Sequence, residues 1–175
     1  LDIDRIEKEL TAKTFISRVY YFEELSSTND FAKSVTEADN VLVITDNQIA
    51  GRGRFERKWV TEKNRNLTFT IRKHFALDLE NSGYVNIFFT YFLFSSIKSF
   101  IERHFPGLNT ELLEIKWPND ILLDSKKICG ILIESISNGR EYLIGTGINV
   151  NQKNFGSILT AGSLSAYAGT EIDCS

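Results

Sequence analysis

Leu112-Leu113-Glu114-Ile115-Lys116-Trp117-Pro118-Asn119-Asp120-Ile121-Leu122-Leu123-Asp124-Ser125-Lys126-Lys127-Ile128-Cys129-Gly130-Ile131-Leu132-Ile133-Glu134-Ser135 decides the fold class. Leu112 to Trp117 reads as a strand stopped by Pro118-Asn119-Asp120. Ile121–Leu123 and Ile128–Ser135 are further apolar runs, joined by a turn at Asp124-Ser125-Lys126, and read as a hairpin. Tyr142 to Val150 adds a last strand with Gly145 and Gly147 inside it, and glycines inside a strand often mark close approach of a ligand or backbone. Working outward, Val41–Thr45 is a short buried strand, Leu67–Ile71 alternates with period two, and Val19–Phe22 is a further strand candidate. Helical spacing of Ile3, Ile6 and Leu10 predicts a short helix over residues 3–12. Another helix follows Ser26-Ser27-Thr28-Asn29-Asp30, where a Ser or Thr is first of all an N-cap. Tyr84 to His104 predicts one long, Phe-rich helix at the centre of the core, with Ile87–Phe94 as a buried segment. Strands outnumber helices and hairpins recur, so the fold class is α+β around a mixed, largely antiparallel sheet with packed helices.

The 175 residues suit one domain, with residues 18–150 holding the informative segments. Hydrophobic residues make up 42% and charged residues 25%, which is globular composition. The net charge of -3 argues against nucleic-acid binding by this chain. Cys129 and Cys174 are too few for a disulfide framework and predict free thiols in a reducing cytoplasm. No run reaches the about 18 uninterrupted apolar residues of a membrane span, and no secretory signal precedes residue 20. The Asn66-Leu67-Thr68 sequon therefore carries no meaning. The start at Leu1 and the absence of methionine lead us to expect a trimmed chain.

Against the acidic background, Gln48-Ile49-Ala50-Gly51-Arg52-Gly53-Arg54-Phe55-Glu56-Arg57-Lys58-Trp59 concentrates three arginines and a lysine in seven residues. Guanidinium forks suit carboxylate and phosphate, and glycines let a backbone come close to a ligand. A solvated basic turn is the plainer reading. Phosphate-loop, dinucleotide and nucleophile-elbow motifs are missing, and His74 and His104 lack metal-ligand spacing. Four segments near strand ends remain: Ser27-Thr28-Asn29, the basic loop, Lys116-Trp117-Pro118-Asn119-Asp120 with Lys127, and Gly145-Thr146-Gly147-Ile148-Asn149. Lys116 and Lys127 flank the turn, so both can point at one site. Together with Arg52, Arg54 and Arg57 they suit two anions brought together, such as a carboxylate and a triphosphate. That suggests adenylation, with fixed cations stabilising the developing charge and Mg²⁺ on the phosphates, near Asp120 or Asn119.

With Lys127-x-x-Gly130-Ile131-Leu132-x-Glu134 added, these segments resemble, in family order, those of the biotin protein ligase (biotin–[acetyl-CoA-carboxylase] ligase) catalytic domain, from Ser27 to Asn149. The resemblance implies a fold related to class II aminoacyl-tRNA synthetases and a single biotin/lipoate ligase-like domain over 1–175. It implies that Ser27, Thr28 and Asn29 bind the ureido head of biotin, with Gln48 and Gly130 also beside biotin. Gly51, Arg52, Gly53 and Arg54 would close over biotin and the adenylate. Arg52, Arg57, Asn119 and Asn149 would meet the nucleotide. Lys127 would contact the reacting carboxylate and α-phosphate, with Arg54, Lys116 and Asp120 in further catalytic roles and Asp120 as the metal ligand. Trp59, Trp117 and Pro118 are expected to be structural, and Cys129 to fill the core. Phe55-Glu56 departs from the family's basic residue and glycine and puts the closing of the loop in question. Only Phe155 and Tyr167 in the tail are candidates to stack on adenine.

The resemblance further implies ATP and Mg²⁺ as cofactors, biotin as substrate, a biotin carboxyl carrier protein as acceptor, a cytoplasmic location, no membrane partner and a possible homodimer. The family's N-terminal winged helix and small C-terminal barrel are not found in this sequence. The alternatives are a lipoate–protein ligase, which shares the fold and the adenylation step, and the catalytic part of a biotin-sensing repressor.

Overall fold

The computed structural model describes residues 2–36, 40–75, 82–137 and 140–174, without the side chains of Glu56 and Ser82. Along the chain come α1 (Ile3–Lys13), β1 (Arg18–Phe22), α2 (Thr28–Ser34), β2 (Val41–Thr45), β3 (Asn66–His74), α3 (Ser82–His104), β4 (Leu113–Lys116), β5 (Asp120–Leu123), β6 (Lys126–Ile136), β7 (Glu141–Asn149) and α4 (Leu164–Ala168). Short 3-10 turns cover Arg54–Glu56 and Thr110–Leu112. The strands form one seven-stranded sheet in the order β1-β2-β3-β7-β6-β5-β4. Only the β1–β2 pair is parallel; the other pairs are antiparallel. The expected mixed, largely antiparallel α+β sheet is therefore found, with boundaries shifted by one to three residues except at β2. The tail helix α4 was not foreseen.

Strand alternation gives the sheet two different faces. On one, Ile144 lies opposite Ile71 and Ile133, and Ile148 opposite Leu67 and Cys129. This face packs with Val85, Ile97 and Ile101 of α3 and Leu164 of α4 into the main core. Burial pushes the Cys129 thiol up to about 12 despite nearby Lys127, in keeping with a core residue. The other face carries a smaller cluster in which Ala32 of α2 meets Val43 and Leu143. Beyond that cluster, this second face carries mainly polar residues and glycines, with Leu122 and Leu132 among them.

The expectation that Ile87–Phe94 is a buried segment is corrected. Ile87, Phe88, Tyr91 and Phe92 are all at least half exposed, while Phe89, Leu93 and Phe94 pack against the core. A helix lying on one side of a sheet buries only the stripe that faces it. Gly83–His104 is long and apolar enough, by length and composition alone, to cross a membrane, yet Val85, Ile97 and Ile101 along it are core residues.

One ion pair fastens α2 to the sheet. Arg72 of β3 donates from Nε to Glu141 of β7 at 2.7 Å, and its Nη1 donates to the carbonyl oxygens of Ala32 and Val35 at the end of α2. Burial raises the Glu141 pKa, but hydrogen bonds from Arg72 and Ser137 and the charges of Arg72 and His74 outweigh it, and the net value lies below the ordinary 4.5. A depressed carboxyl pKa stabilises the fold above the unfolded value, and that contribution is lost as pH falls through the folded one. Glu141→Gln should therefore cost about 1–3 kcal/mol at neutral pH. The deficit relative to the parent should shrink once pH drops below 4.5, as followed by urea unfolding of both proteins across that range.

Candidate active site

The site is built on the second face, where the central strands lack bulk. Gly145 of β7 lies opposite Thr70 and Leu132, and Gly147 opposite Thr68 and Gly130. A Cβ on Gly145 would stand 2.3 Å from Oδ1 of Asn29, and one on Gly147 would stand 2.3 Å from the Trp59 indole. Real Cβ atoms do not approach so closely, so both positions must be bare for α2 and the basic loop to seat. Above this floor is a cavity of about 660 Å³.

The first wall is the start of α2. Ser27 is its N-cap, accepting from the Asp30 amide at 3.3 Å. The helix-cap reading of this serine holds, and its buried side chain also borders the cavity. Oε1 of Gln48 accepts from the Thr28 amide at 2.8 Å and from the Thr28 hydroxyl at 3.1 Å. Thr70 joins Oγ1 of Thr28 at 2.8 Å and donates to Oδ1 of Asn29 at 2.6 Å. Nδ2 of Asn29 donates to Glu134 at 2.6 Å. The expected head-group residues thus form one buried polar cluster. Thr70 and Glu134 complete it, and the polar alternation Thr68–Thr70 on β3 was the signal that could have revealed them.

The basic loop is a small hairpin over the cavity. Trp59 donates its amide to Gly51 at 2.9 Å, Gly53 donates to Arg57 at 2.6 Å, and Arg52 pairs with Lys58. Gly51 is needed here, because a Cβ would stand 2.5 Å from the Trp59 carbonyl oxygen and 2.6 Å from Nε2 of Gln48. At the tip Phe55 adopts φ 55° and is 82% exposed. Arg54 lies over its ring at 5.2 Å and donates to Asn119 at 3.4 Å. Arg52, by contrast, places its guanidinium on Asp30. Trp59, expected to be a packing anchor, packs on Gly147 and Gly130 and borders the cavity.

The far wall comes from the hairpin. Between β5 and β6 the register shifts: Ile121 faces Cys129, but Leu122 faces Lys127. The extra residue, Ile128, forms a bulge. Strict alternation would put Lys127 on the core face with Cys129 and Ile131; the bulge turns it to the face of Asp120 and Gly130. There its Nζ lies 2.7 Å from Asp120 and 5.5 Å from the centre of the Trp59 ring. Lys116 is paired with Asp120 across β4 and β5 and also borders the cavity. Asn119 is engaged in the turn, donating to the Ile131 carbonyl at 2.7 Å while accepting from Arg54. The chain after β7 closes the last side. Nδ2 of Asn149 donates to Gly162 at 3.0 Å, and Phe155 borders the cavity. Tyr167 packs at the core and donates to Asn109 instead.

Among the described residues, every expected site residue except Gly51 borders this cavity, and Gly51 holds the loop that covers it. Among the described residues, six cations (Arg52, Arg54, Arg57, Lys58, Lys116 and Lys127) border the cavity with one carboxylate, Asp120. Nε1 of Trp59, Oγ1 of Thr68 and Oδ1 of Asn149 are buried without a partner. Such atoms and cations fit a ligand with several anionic oxygens and further polar groups. They fit a resident metal poorly: no group of three or more His, Cys, Asp or Glu among the described residues can hold one, and Asp120 is already paired with Lys127.

Comparison with known proteins agrees with this construction. The model of the biotin/lipoate A/B protein ligase family matches residues 21–151. The Bacillus subtilis bifunctional ligase/repressor BirA is 33% identical over 163 residues, which are 87% of this chain and 48% of that protein. The biotin–[acetyl-CoA-carboxylase] ligase of Mycobacterium tuberculosis is 29% identical over 122 residues, 69% of this chain and 43% of that one. The chain thus spans about half the length of the curated relatives it matches. Among solved structures, the Leishmania major biotin protein ligase in complex with biotinyl-5-AMP superposes with a TM-score of 0.72 at 25% identity, covering 87% of this chain and 65% of that one. The class II synthetase-like α+β fold expected from the motifs is the fold found. With its sheet, its glycine floor and its ordered motifs matched over residues 21–151, the chain belongs to the biotin/lipoate A/B protein ligase family.

Proposed function

We propose that this chain is the catalytic domain, over residues 1–175, of an ATP-dependent biotin protein ligase. It first makes biotinyl-5′-adenylate and then biotinylates a lysine of a biotin carboxyl carrier protein. The observation that carries the reading is the convergence on one cavity of a buried polar cluster at one end and a set of cations at the other. A bicyclic ureido head has both N–H donors and a carbonyl acceptor for Ser27, Thr28, Asn29 and Gln48, whereas a dithiolane offers none. This favours biotin over lipoate. The carboxylate at the other end of biotin then lies toward Lys127.

In the first step a carboxylate oxygen attacks the α-phosphorus, the bond to the bridging oxygen breaks, and pyrophosphate leaves. Lys127, held by Asp120, contacts both the carboxylate and the α-phosphate and offsets their mutual repulsion. Arg54, Arg57 and Lys116 stabilise charge on the phosphates. Asn149 and Trp59 lie on the nucleotide side, with the unpaired Trp59 N–H as a donor. Mg²⁺ carried by ATP would offset charge on the phosphates, and among the described residues bordering the cavity Asp120 would be the carboxylate able to meet it. In the second step the neutral acceptor amine attacks the carbonyl carbon of the mixed anhydride, AMP leaves, and the amine gives up its proton. The loop orients the adenylate and excludes water from it. Free Cys129 and Cys174 suit a reducing cytoplasm. The reading requires no membrane and no nucleic acid, and dimer formation through a sheet edge is compatible with it.

A pyrophosphate-release assay with biotin, ATP and Mg²⁺ tests the reading: release should depend on biotin and be absent with lipoate. Lys127→Ala should slow adenylate formation about 100-fold or more, while Arg54→Gly should mainly speed loss of bound adenylate. Parental rates and retention in both variants would overturn the role assignment. Gly147→Ala places a methyl against the Trp59 indole and should displace it. The expected readouts, in a Trp117→Phe background, are a red-shifted Trp59 emission and weaker nucleotide binding.

A further inference from the structure

The basic loop reaches across the cavity, its base tied by backbone hydrogen bonds from Ile49 to Leu25 and from Ala50 to Ser26, and two of its arginine side chains hold it with different strength. Near its tip, Arg54 makes one long hydrogen bond to Asn119 at 3.4 Å. At its base, Arg52 forks onto Asp30 of α2, with Nη1 2.9 Å from Oδ2 and Nη2 2.6 Å from Oδ1. A planar bidentate pair fixes orientation as well as distance. Glu134 of β6 stands 3.9 Å from the same guanidinium and accepts from Asn29, which Thr70 fixes over Gly145. Arg52 lies between Gly51 and Gly53, whose backbone groups pair with Trp59 and Arg57. Fixing Arg52 therefore sets the direction in which Arg54, Arg57 and Trp59 leave the hairpin. Asp30 does not border the cavity and is half exposed, so it does not touch a ligand there.

We propose that Asp30 is a positioning residue: its ion pair with Arg52 latches the base of the loop to α2, so that the loop opens by swinging at its Phe55 tip while its base stays in place. Arg52, expected to contact biotin and nucleotide, acts in this arrangement through the latch. Among the described residues, removing the Asp30 charge leaves Arg52 only Glu134, beyond hydrogen-bonding distance, and loosens the loop beyond its backbone ties at Ile49 and Ala50. The effect on the bound adenylate rests on the ligase reading above; the effect on the loop does not.

The test uses the full chain with Asp30→Asn, Asp30→Ala and Asp30→Glu. Limited trypsin digestion of the ligand-free protein, mapped by mass spectrometry, reads cutting at Arg52, Arg54, Arg57 and Lys58. Retention of preformed biotinyl-adenylate is followed in parallel. Asn and Ala should raise loop cutting and adenylate loss about fivefold, the scale of an exposed bidentate pair. The melting midpoint should move by less than about 3 °C, and Glu should restore parental behaviour. Parental cutting rates in both Asn and Ala variants, or cutting increased equally in the Glu variant, would overturn the latch. A parent that makes no adenylate would overturn the ligase reading instead, and the trypsin readout would still decide the latch.

Discussion

The arrangement of this molecule depends on one bare face of β7. That strand lies inside the sheet and is buried along nearly all its length, yet it presents Gly145 and Gly147 on the side away from α3. Asn29 occupies the space over the first and Trp59 the space over the second. One side of the strand is thus a packed core of Ile144 and Ile148, and the other is a floor on which two separate elements meet. Without that floor, α2 and the basic loop would have no common cavity to wall.

Electrostatics then divides the cavity. The chain as a whole is acidic, but Arg54, Lys116 and Lys127 gather around Asn119 and Asp120, while Thr28, Asn29, Gln48 and Thr70 form a neutral hydrogen-bonded cluster at the start of α2. The carboxylates near the site are held in pairs: Asp30 with Arg52, and Asp120 with Lys127. Such pairs are weak contributors to stability when exposed, but they fix where a guanidinium or ammonium points. That is the property a site handling two anions needs, since stabilisation of developing charge comes from groups already in position. The outward aromatic side of α3 plays no part in this; it lies on the far side of the sheet from the cavity.

Much of this was legible in the sequence. Period-two alternation in Leu67–Ile71, the apolar run Val41–Thr45 and the polar breaks around Pro118-Asn119-Asp120 and Asp124-Ser125-Lys126 encode local conformation directly, because side-chain alternation and turn chemistry are local properties. The ordered motifs from Ser27 to Asn149 identified the family for a related reason: a site assembled from strand ends leaves its residues at recognisable spacings. The amphipathic division of α3 was not legible, since its outer side is as apolar as its inner one and periodicity carries no contrast.

What tertiary structure alone decided is where particular side chains point. Alternation would send Lys127 into the core with Cys129 and Ile131; a one-residue bulge at Ile128, visible only in the β5–β6 register, turns it to the cavity. Trp59 is a packing anchor, and only the fold shows that it packs on two glycines from different strands. Arg52 borders the cavity, and it took the fold to bring Asp30, 22 residues earlier, under its guanidinium. The sequence by itself determined the strands, the helices other than α4, the fold class and the family, because these follow from local pattern. Pairing register and contacts between distant segments set the aim of each functional group, because those depend on how strands lie against one another.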